Sequence, residues 1–275
     1  MVAALPATAV RLEQEDVLTN EVLLDVTGGV ARITINREAR RNAISPAVTA
    51  IMADMLEQVA DRSDIRAVVL TGAGDRAFCA GADLSPGSGS FEPGPSRGGS
   101  PYVRLLKTAR ALPQPLVARV NGHCMAGGMG LLGMSDMAVA VDTARFGLPE
   151  VKIGVFPMMV TSVLRDLVPP RRYRELSLTG EPISAMEALE AGLLNYVTTA
   201  KELDAKVDWL LGRLLDKSPT GIRRGKAAMN AAESMPFDDA LNYFEEQIDL
   251  LALTEDAKEG RAAFNEKRAP VWTGA

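Results

Sequence analysis

The sequence is poor in the residues that build disulfide scaffolds and metal centres. Its 275 residues include only two cysteines, Cys79 and Cys124, and one histidine, His123. Two cysteines are too few to staple a small secreted scaffold, and they stand at no metal-ligand spacing. The composition therefore excludes a disulfide framework, predicts no metal site and favours the reducing cytoplasm.

Long hydrophobic runs are also missing. No stretch reaches the roughly 18 consecutive apolar residues of a membrane-spanning helix, and residues 1–16 lack the basic start and apolar centre of a signal peptide. A net charge of −5 argues against a dedicated nucleic-acid binder. What is present, 47% hydrophobic and 24% charged residues, is typical of a soluble globular protein with one large domain or two small ones.

The pattern along the chain predicts three parts. Residues 1–20 are expected to be a loose leader, residues 21–198 an α/β core and residues 199–275 a helical region. Alternating apolar residues at 22–25 and 30–36 around Gly28-Gly29 predict a β-hairpin. Ser45-Pro46 is a typical helix start, and the apolar run 67–70 predicts a buried strand. Further strands are expected at 116–121 and 137–141, and helices at 102–112, 185–191, 203–215, 222–231, 238–253 and 257–267.

Three segments carry small residues where a strand is expected to end. They are residues 77–84 (AFCAGADL), 120–130 (VNGHCMAGGMG) and 144–154 (ARFGLPEVKIG). Small residues allow a ligand to approach the backbone closely, and a helix that opens there presents free N–H groups. Two such loops together can form a paired-donor site for an oxyanion.

Together and in this order, the three segments resemble the crotonase (enoyl-CoA hydratase/isomerase) superfamily. The resemblance spans residues 20–268 and includes RRNA at 40–43, LTG at 178–180 and AFNEKR at 263–268. It implies an α/β fold, a spiral of ββα units followed by a helical C-terminal trimerisation region. It also implies an acyl-CoA substrate, no cofactor beyond the CoA of that substrate, and a homotrimer or a hexamer made of two trimers.

The resemblance assigns the chemistry to three positions. The backbone N–H groups of Ala82 and Gly127 would hold the thioester carbonyl oxygen, and Glu150 would transfer protons. Related hydratases carry a further glutamate three residues after the second oxyanion donor, where this chain has Gly130. The single-glutamate pattern favours Δ3-Δ2 enoyl-CoA isomerisation, in which Glu150 takes a proton from C2 and returns it at C4.

Other functions stay open at this stage. One is an enoyl-CoA hydratase of fatty-acid β-oxidation in which another group, or water held by the substrate, replaces the first carboxylate of related hydratases, the glutamate missing at position 130. A hydrolase or another enolate-forming relative is a further possibility. From a different class, a non-catalytic acyl-CoA binding protein would also explain the loss of the first glutamate.

Further substrate-binding candidates surround these positions. The oxyanion segments contribute Ala80, Asp83, Leu84, Gly128 and Gly130, and the expected acyl pocket contributes Phe156 and Pro157 beside Met158 and Met159. Arg40, with Arg37 and Arg41, is a candidate for the CoA phosphates, and Phe264 and Lys267 are candidates to reach a neighbouring subunit's CoA. A capping role is preferred for Asp83, structural roles for Asp136 and His123, and the buried apolar state for both cysteines.

Overall fold

Two β-sheets form the frame of the protein. The computed structural model describes residues 20–90 and 99–275, so the expected leader lies outside the described residues except for Asn20. The composition of residues 85–100, rich in Gly, Ser and Pro, predicts a surface loop, and part of that stretch also lies outside the described residues. The larger sheet contains β1 (Val22–Thr27), β2 (Val30–Ile35), β3 (Ala67–Gly72), β5 (Leu116–Val120), β7 (Met137–Val141) and β10 (Tyr196–Thr198), and the smaller contains β4 (Ala77–Cys79), β6 (His123–Met125), β8 (Arg145–Gly147) and β9 (Ile183–Ser184).

The expected hairpin opens the larger sheet. Its strands β1 and β2 are antiparallel, and every other pairing in that sheet is parallel, in the order β1-β2-β3-β5-β7-β10. Gly28 and Gly29 turn the chain with φ values of 60° and 81°, a region that glycine adopts at little cost. Strand β3 is buried along its whole length, as its continuous apolar run predicts.

Ten helices are present in the described part of the chain. They are α1 (Pro46–Ala60), α2 (Pro101–Ala111), α3 (Gly127–Gly133), α4 (Met158–Leu164), α5 (Pro170–Thr179), α6 (Ala185–Glu190), α7 (Leu203–Leu215), α8 (Pro219–Ala232), α9 (Phe237–Ala252) and α10 (Glu255–Glu266). The Ser45 side chain accepts a hydrogen bond from the Val48 N–H and caps α1, as its sequence predicts. None of these helices is long and apolar enough to cross a membrane.

The chain repeats one local plan. After the hairpin, β3, β5 and β7 enter the larger sheet, and each is followed at once by a short strand of the smaller sheet, β4, β6 or β8. Helix α2 follows the first of these pairs and α3 the second. This confirms the predicted α/β spiral of ββα units followed by a helical C-terminal region. The short strands β9 and β10 lie between helices α5 and α7, before residue 199, and the helical periodicity of that stretch did not predict them.

Asp136 ties the C-terminal helices to the larger sheet. Its Oδ2 atom accepts hydrogen bonds from the Leu116 N–H at the start of β5 and from the Lys226 ammonium on α8, both at 2.6 Å. The Lys226 ammonium also donates to the Gln114 carbonyl at 3.0 Å. Asp136 therefore has a structural role, as expected from the sequence.

Candidate active site

The three glycine-containing segments meet because of the order of the smaller sheet. Its strands β4, β6 and β8 are parallel neighbours, with Cys79 opposite Cys124 and Cys124 opposite Phe146. The carboxyl ends of parallel neighbours lie at the same edge of a sheet, which is where ligands bind in many α/β proteins. The loops that follow these strands therefore come together although they are far apart in sequence.

The first loop depends on Gly81. Its φ of 94° is outside the range that other residues adopt readily, and a Cβ placed there would lie 2.5 Å from the Ala126 Cβ and 3.3 Å from the Gly127 nitrogen. The next residue, Ala82, pairs with Ile44 in an isolated parallel bridge. The Ala82 N–H has no hydrogen-bond acceptor among residues 20–90 and 99–275.

The second loop presents a free N–H directly beside the first. Ala126 has φ 51° and ψ −124°, an uncommon conformation for alanine, and Gly127 is the first residue of α3. The first N–H groups of a helix have no acceptor within the helix. Within the part of the chain that the structure describes, the Gly127 N–H has no acceptor either, so the close approach at Gly81 places two unpaired N–H donors, those of Ala82 and Gly127, on adjacent loops.

Glu150 supplies a carboxylate from the third loop. It lies in the short 3₁₀ turn Pro149–Ile153 after β8 and is only 7% exposed. Its Oε2 atom is buried and has no hydrogen-bond partner in the described part of the chain. Burial raises the pKa of Glu150 because the charged form loses water. A buried carboxylate with a free oxygen and a raised pKa is suited to accept and return a proton.

All three loops open into one cavity of about 660 Å³. Its walls are mainly apolar, and this size and character suit an acyl chain with a few fixed polar groups. Of the predicted site residues, the lining includes Ala80, Ala82, Leu84, Gly127, Glu150, Phe156 and Pro157. The lining also includes Ile44, Ser45, Tyr102, Ile153, Met158, Met159 and Val160.

Asp83 is buried behind the first loop rather than in the cavity lining. Its Oδ1 atom accepts hydrogen bonds from the Ser85 hydroxyl at 2.6 Å and the Ser85 N–H at 3.0 Å, and its Oδ2 pairs with Arg37 at 2.7 Å. Hydrogen bonds from the Ser85 hydroxyl and the Ser85 N–H, followed by the Arg37 guanidinium, lower the pKa of Asp83 to about 2. The side chain caps its own turn, and Arg37 is held by Asp83 and Glu21 rather than left free for a phosphate.

Gly128 and Gly130 form the back of the second loop and do not line the cavity themselves. A Cβ at Gly128 would lie 2.6 Å from the Cys79 carbonyl oxygen, so the helix packs there against β4. A Cβ at Gly130 would overlap the hydroxyl oxygen of Tyr102. Tyr102 is not among the site residues predicted from the sequence. Its spacing with Leu105 and Ala109 places it on the inward face of α2 but gives no sign that it faces Gly130.

The remaining predicted residues lie on the surface, away from the cavity lining. Arg40 is exposed in a short 3₁₀ turn after β2. Phe264 is 84% exposed near the end of α10, and Lys267 is exposed at its C-terminal cap. The expected contact of Arg40 with the CoA phosphates, and that of Phe264 and Lys267 with a neighbouring subunit's CoA, stay predictions.

The histidine and the cysteines are not part of the cavity. His123 is exposed at the start of β6, where its Nδ1 accepts a hydrogen bond from the Arg145 N–H at 3.1 Å. Cys79 and Cys124 are fully buried, and burial raises the pKa of the Cys79 thiol to about 12. A thiol that stays protonated is a poor nucleophile. Within the described residues, no group of three or more His, Cys, Asp or Glu side chains is arranged to hold a metal ion.

The two-sheet spiral with its cavity at the edge of the smaller sheet is the crotonase fold. Solved structures of enoyl-CoA hydratases superpose on this chain over nearly its whole length. Enoyl-CoA hydratase from Bacillus anthracis superposes with a TM-score of 0.87 at 32% identity, covering 93% of this chain and 100% of that one. Enoyl-CoA hydratase from Mycobacterium smegmatis superposes with a TM-score of 0.86 at 30% identity, covering 92% and 98%.

Sequence comparisons give the family. The family model described as enoyl-CoA hydratase/isomerase matches residues 25–275. Relatives include (E)-benzylidenesuccinyl-CoA hydratase of Thauera aromatica, 33% identical over 92% of this chain and 99% of the relative. Enoyl-CoA hydratase EchA19 of Mycobacterium tuberculosis is 37% identical over 91% and 95%. The chain belongs to the enoyl-CoA hydratase/isomerase family and is an enzyme that acts on acyl-CoA thioesters.

Proposed function

We propose that this enzyme forms and quenches a thioester enolate, with Glu150 as the only carboxylate that moves protons. The Ala82 and Gly127 N–H groups would hold the thioester oxygen as it gains negative charge, an arrangement worth about 2.7–4 kcal/mol of barrier for each donor. The observation that supports this most directly is the buried, unpartnered Oε2 of Glu150 in the same cavity. CoA enters as part of the substrate, and the chemistry needs no further cofactor.

The first candidate reaction is Δ3-Δ2 isomerisation of an enoyl-CoA. Glu150 would remove a proton from C2 of a 3-enoyl-CoA, the electron pair would move into the enolate, and Glu150 would return the proton at C4. One carboxylate suffices because both transfers use the same group. Gly130 supports this reaction since it leaves the position of the other glutamate of related hydratases without a side chain.

The second candidate is hydration of a 2-enoyl-CoA. The two relatives named above favour it, since both are hydratases. This reaction needs a water molecule held beside C3 as well as the enolate site. A group other than a carboxylate at position 130 would have to hold that water.

A product assay separates these reactions and tests Glu150. A panel of 2-enoyl- and 3-enoyl-CoAs in ¹⁸O-labelled water should give either a positional isomer of unchanged mass or a labelled hydroxyacyl-CoA. Glu150→Gln should lower turnover about 10²–10⁴-fold and spare CoA-thioester binding. The matched control is Glu190→Gln on the exposed side of α6, which should keep wild-type turnover. Activity that survives in Glu150→Gln would refute the assignment.

We also propose that the enzyme is a cytoplasmic homo-oligomer, a trimer or a pair of trimers. Helix α9 has no buried residue, although it carries many large apolar side chains. Phe237, Leu241, Phe244 and Ile248 are exposed and follow one another at four, three and four residues, which places them on one face of the helix, while the exposed Leu250 lies on the other side. An exposed apolar face of this kind favours burial against another subunit. Light scattering should give three or six times the chain mass, and a clean monomer would contradict the proposal.

A further inference from the structure

Tyr102 occupies a position in the cavity that the family resemblance does not assign. It lies in the first turn of α2, which the Ser100 side chain caps by accepting a hydrogen bond from the Val103 N–H. The inward face of α2 carries the buried Leu105 and Ala109, so the helix is held firmly against the core. Tyr102 is at the end of this face and lines the cavity together with Gly127 and Glu150.

The Tyr102 hydroxyl fills the space of a side chain at position 130. A Cβ placed on Gly130 would overlap that hydroxyl oxygen and lie 3.2 Å from the ring Cζ, while Val160 would remain at an ordinary contact distance of 3.5 Å. Tyr102 is therefore the specific obstacle to a side chain at 130. The two residues are therefore coupled, because the absence of a side chain at Gly130 leaves the space that the Tyr102 hydroxyl occupies.

The hydroxyl keeps the capacity to bind water. It donates its hydrogen to the Gly127 carbonyl oxygen at 2.7 Å, and a phenol oxygen can still accept a hydrogen bond. Burial raises the pKa of Tyr102 well above its usual value, and the negative charge of Glu150 acts in the same direction. The group is neutral at physiological pH, so it can hold water without competing with Glu150 as a base.

We propose that the Tyr102 hydroxyl takes the place of the carboxylate missing at position 130 and holds the water for enoyl-CoA hydration. This rests on the proposed function, of which it develops the second candidate. The water donates one hydrogen bond to the Tyr102 oxygen, and Glu150 removes its other proton. The water oxygen bonds to C3 as the C2–C3 π pair moves into the enolate. Glu150 then gives its proton to C2, so that one water is added in total.

The test compares two reactions in Tyr102→Phe. Hydration of a 2-enoyl-CoA needs the held water, whereas exchange of the C2 hydrogen of a saturated acyl-CoA with deuterium oxide needs only Glu150 and the N–H pair. Loss of one neutral hydrogen bond to the water should lower the ratio of hydration to exchange by about tenfold. A purely structural role, through the hydrogen bond to Gly127, would slow both reactions alike and leave the ratio unchanged.

A pair of substitutions at position 130 provides a second, independent measurement. Gly130→Glu alone meets the Tyr102 hydroxyl and should lower hydration and stability. Gly130→Glu combined with Tyr102→Ala removes the obstacle and restores a carboxylate at the water position. Hydration by this double variant should exceed that of Tyr102→Ala alone, and thermal melting shows whether each variant is folded.

The possible results separate the two proposals. An unchanged ratio in Tyr102→Phe, or a double variant no better than Tyr102→Ala, overturns the role of Tyr102. Wild-type enzyme that exchanges C2 hydrogen but hydrates no 2-enoyl-CoA also overturns it, while Glu150 and the enolate site stand. Exchange that persists in Glu150→Gln instead refutes the proposed function itself.

Discussion

The close approach at Gly81 allows a quantitative test of the paired N–H groups. Gly81→Ala puts a methyl group at a φ of 94° and 2.5 Å from the Ala126 Cβ. The left-handed backbone costs an alanine about 1–2 kcal/mol of stability, and a forced overlap in a packed region adds about 1–3 kcal/mol. Because Ala126 precedes Gly127 directly, the overlap should also move the Gly127 N–H away from its neighbour.

The control for this variant is Gly28→Ala in the β1–β2 turn. Gly28 also has a positive φ, 60°, but a Cβ there meets nothing within 4 Å. The Gly28→Ala variant should therefore lose only the stability that the left-handed backbone costs an alanine, and it should keep full activity. Gly81→Ala should lose kcat by about 10²–10³-fold, the effect of removing one oxyanion donor.

The assay is C2 hydrogen exchange of a saturated acyl-CoA, with urea unfolding measured in parallel. Exchange requires Glu150 and the N–H pair but no addition of water, so a loss of exchange in a variant that keeps Glu150 reports on the N–H pair. If Gly81→Ala exchanges at the wild-type rate and loses no more stability than Gly28→Ala, the two loops do not form a donor pair and the argument fails.

Two further predictions concern pH. Because burial raises the pKa of Glu150, kcat/KM should fall as pH drops through an inflection above 4.5, and Glu150→Gln should lack this inflection. The raised pKa also means that Glu150 keeps its carboxyl proton to higher pH in the native state than in the unfolded chain. The free energy of unfolding therefore falls as pH rises through the pKa of Glu150, and Glu150→Gln should raise Tm at pH 7. An unchanged or lower Tm would contradict this. Asp83 behaves oppositely: its pKa is lowered to about 2, so its contribution is complete above the unfolded value of 3.8 and disappears as pH falls toward 2. Asp83→Asn should therefore lose about 1–3 kcal/mol in urea unfolding at pH 7, with the difference from wild type vanishing near pH 2, and an equal midpoint at pH 7 would refute the reasoning.

Much of the frame could be predicted from local signals in the sequence. Gly28-Gly29 between alternating strands, Ser45-Pro46 before α1 and the apolar run of β3 each act within a few residues, where turn and capping chemistry dominate. The ββα spiral and the identity of the three site loops required the family resemblance, because each glycine loop alone is common. Strands β4, β6 and β8 contain three residues each, too few for a periodic pattern to be detected.

The role of Tyr102 could not be found in this way. Its local pattern indicates a core residue, and its partner Gly130 lies on another helix. What matters is the space between them, and that space exists only after α2 and α3 pack against the same cavity. A missing side chain is visible in a sequence, but the group that replaces it is visible only in three dimensions.

The parallel pairing of β4, β6 and β8 has a consequence for the order of events in folding. Pairs such as Cys79 with Cys124 join segments that are distant in the chain, so closing them carries the loop entropy of long intervening stretches. The hairpin and the helices need only local contacts and can form earlier. When refolding is monitored both by fluorescence and by turnover, the fluorescence signal should return before activity. The reason is that the edge of the smaller sheet that carries the site loops is completed last.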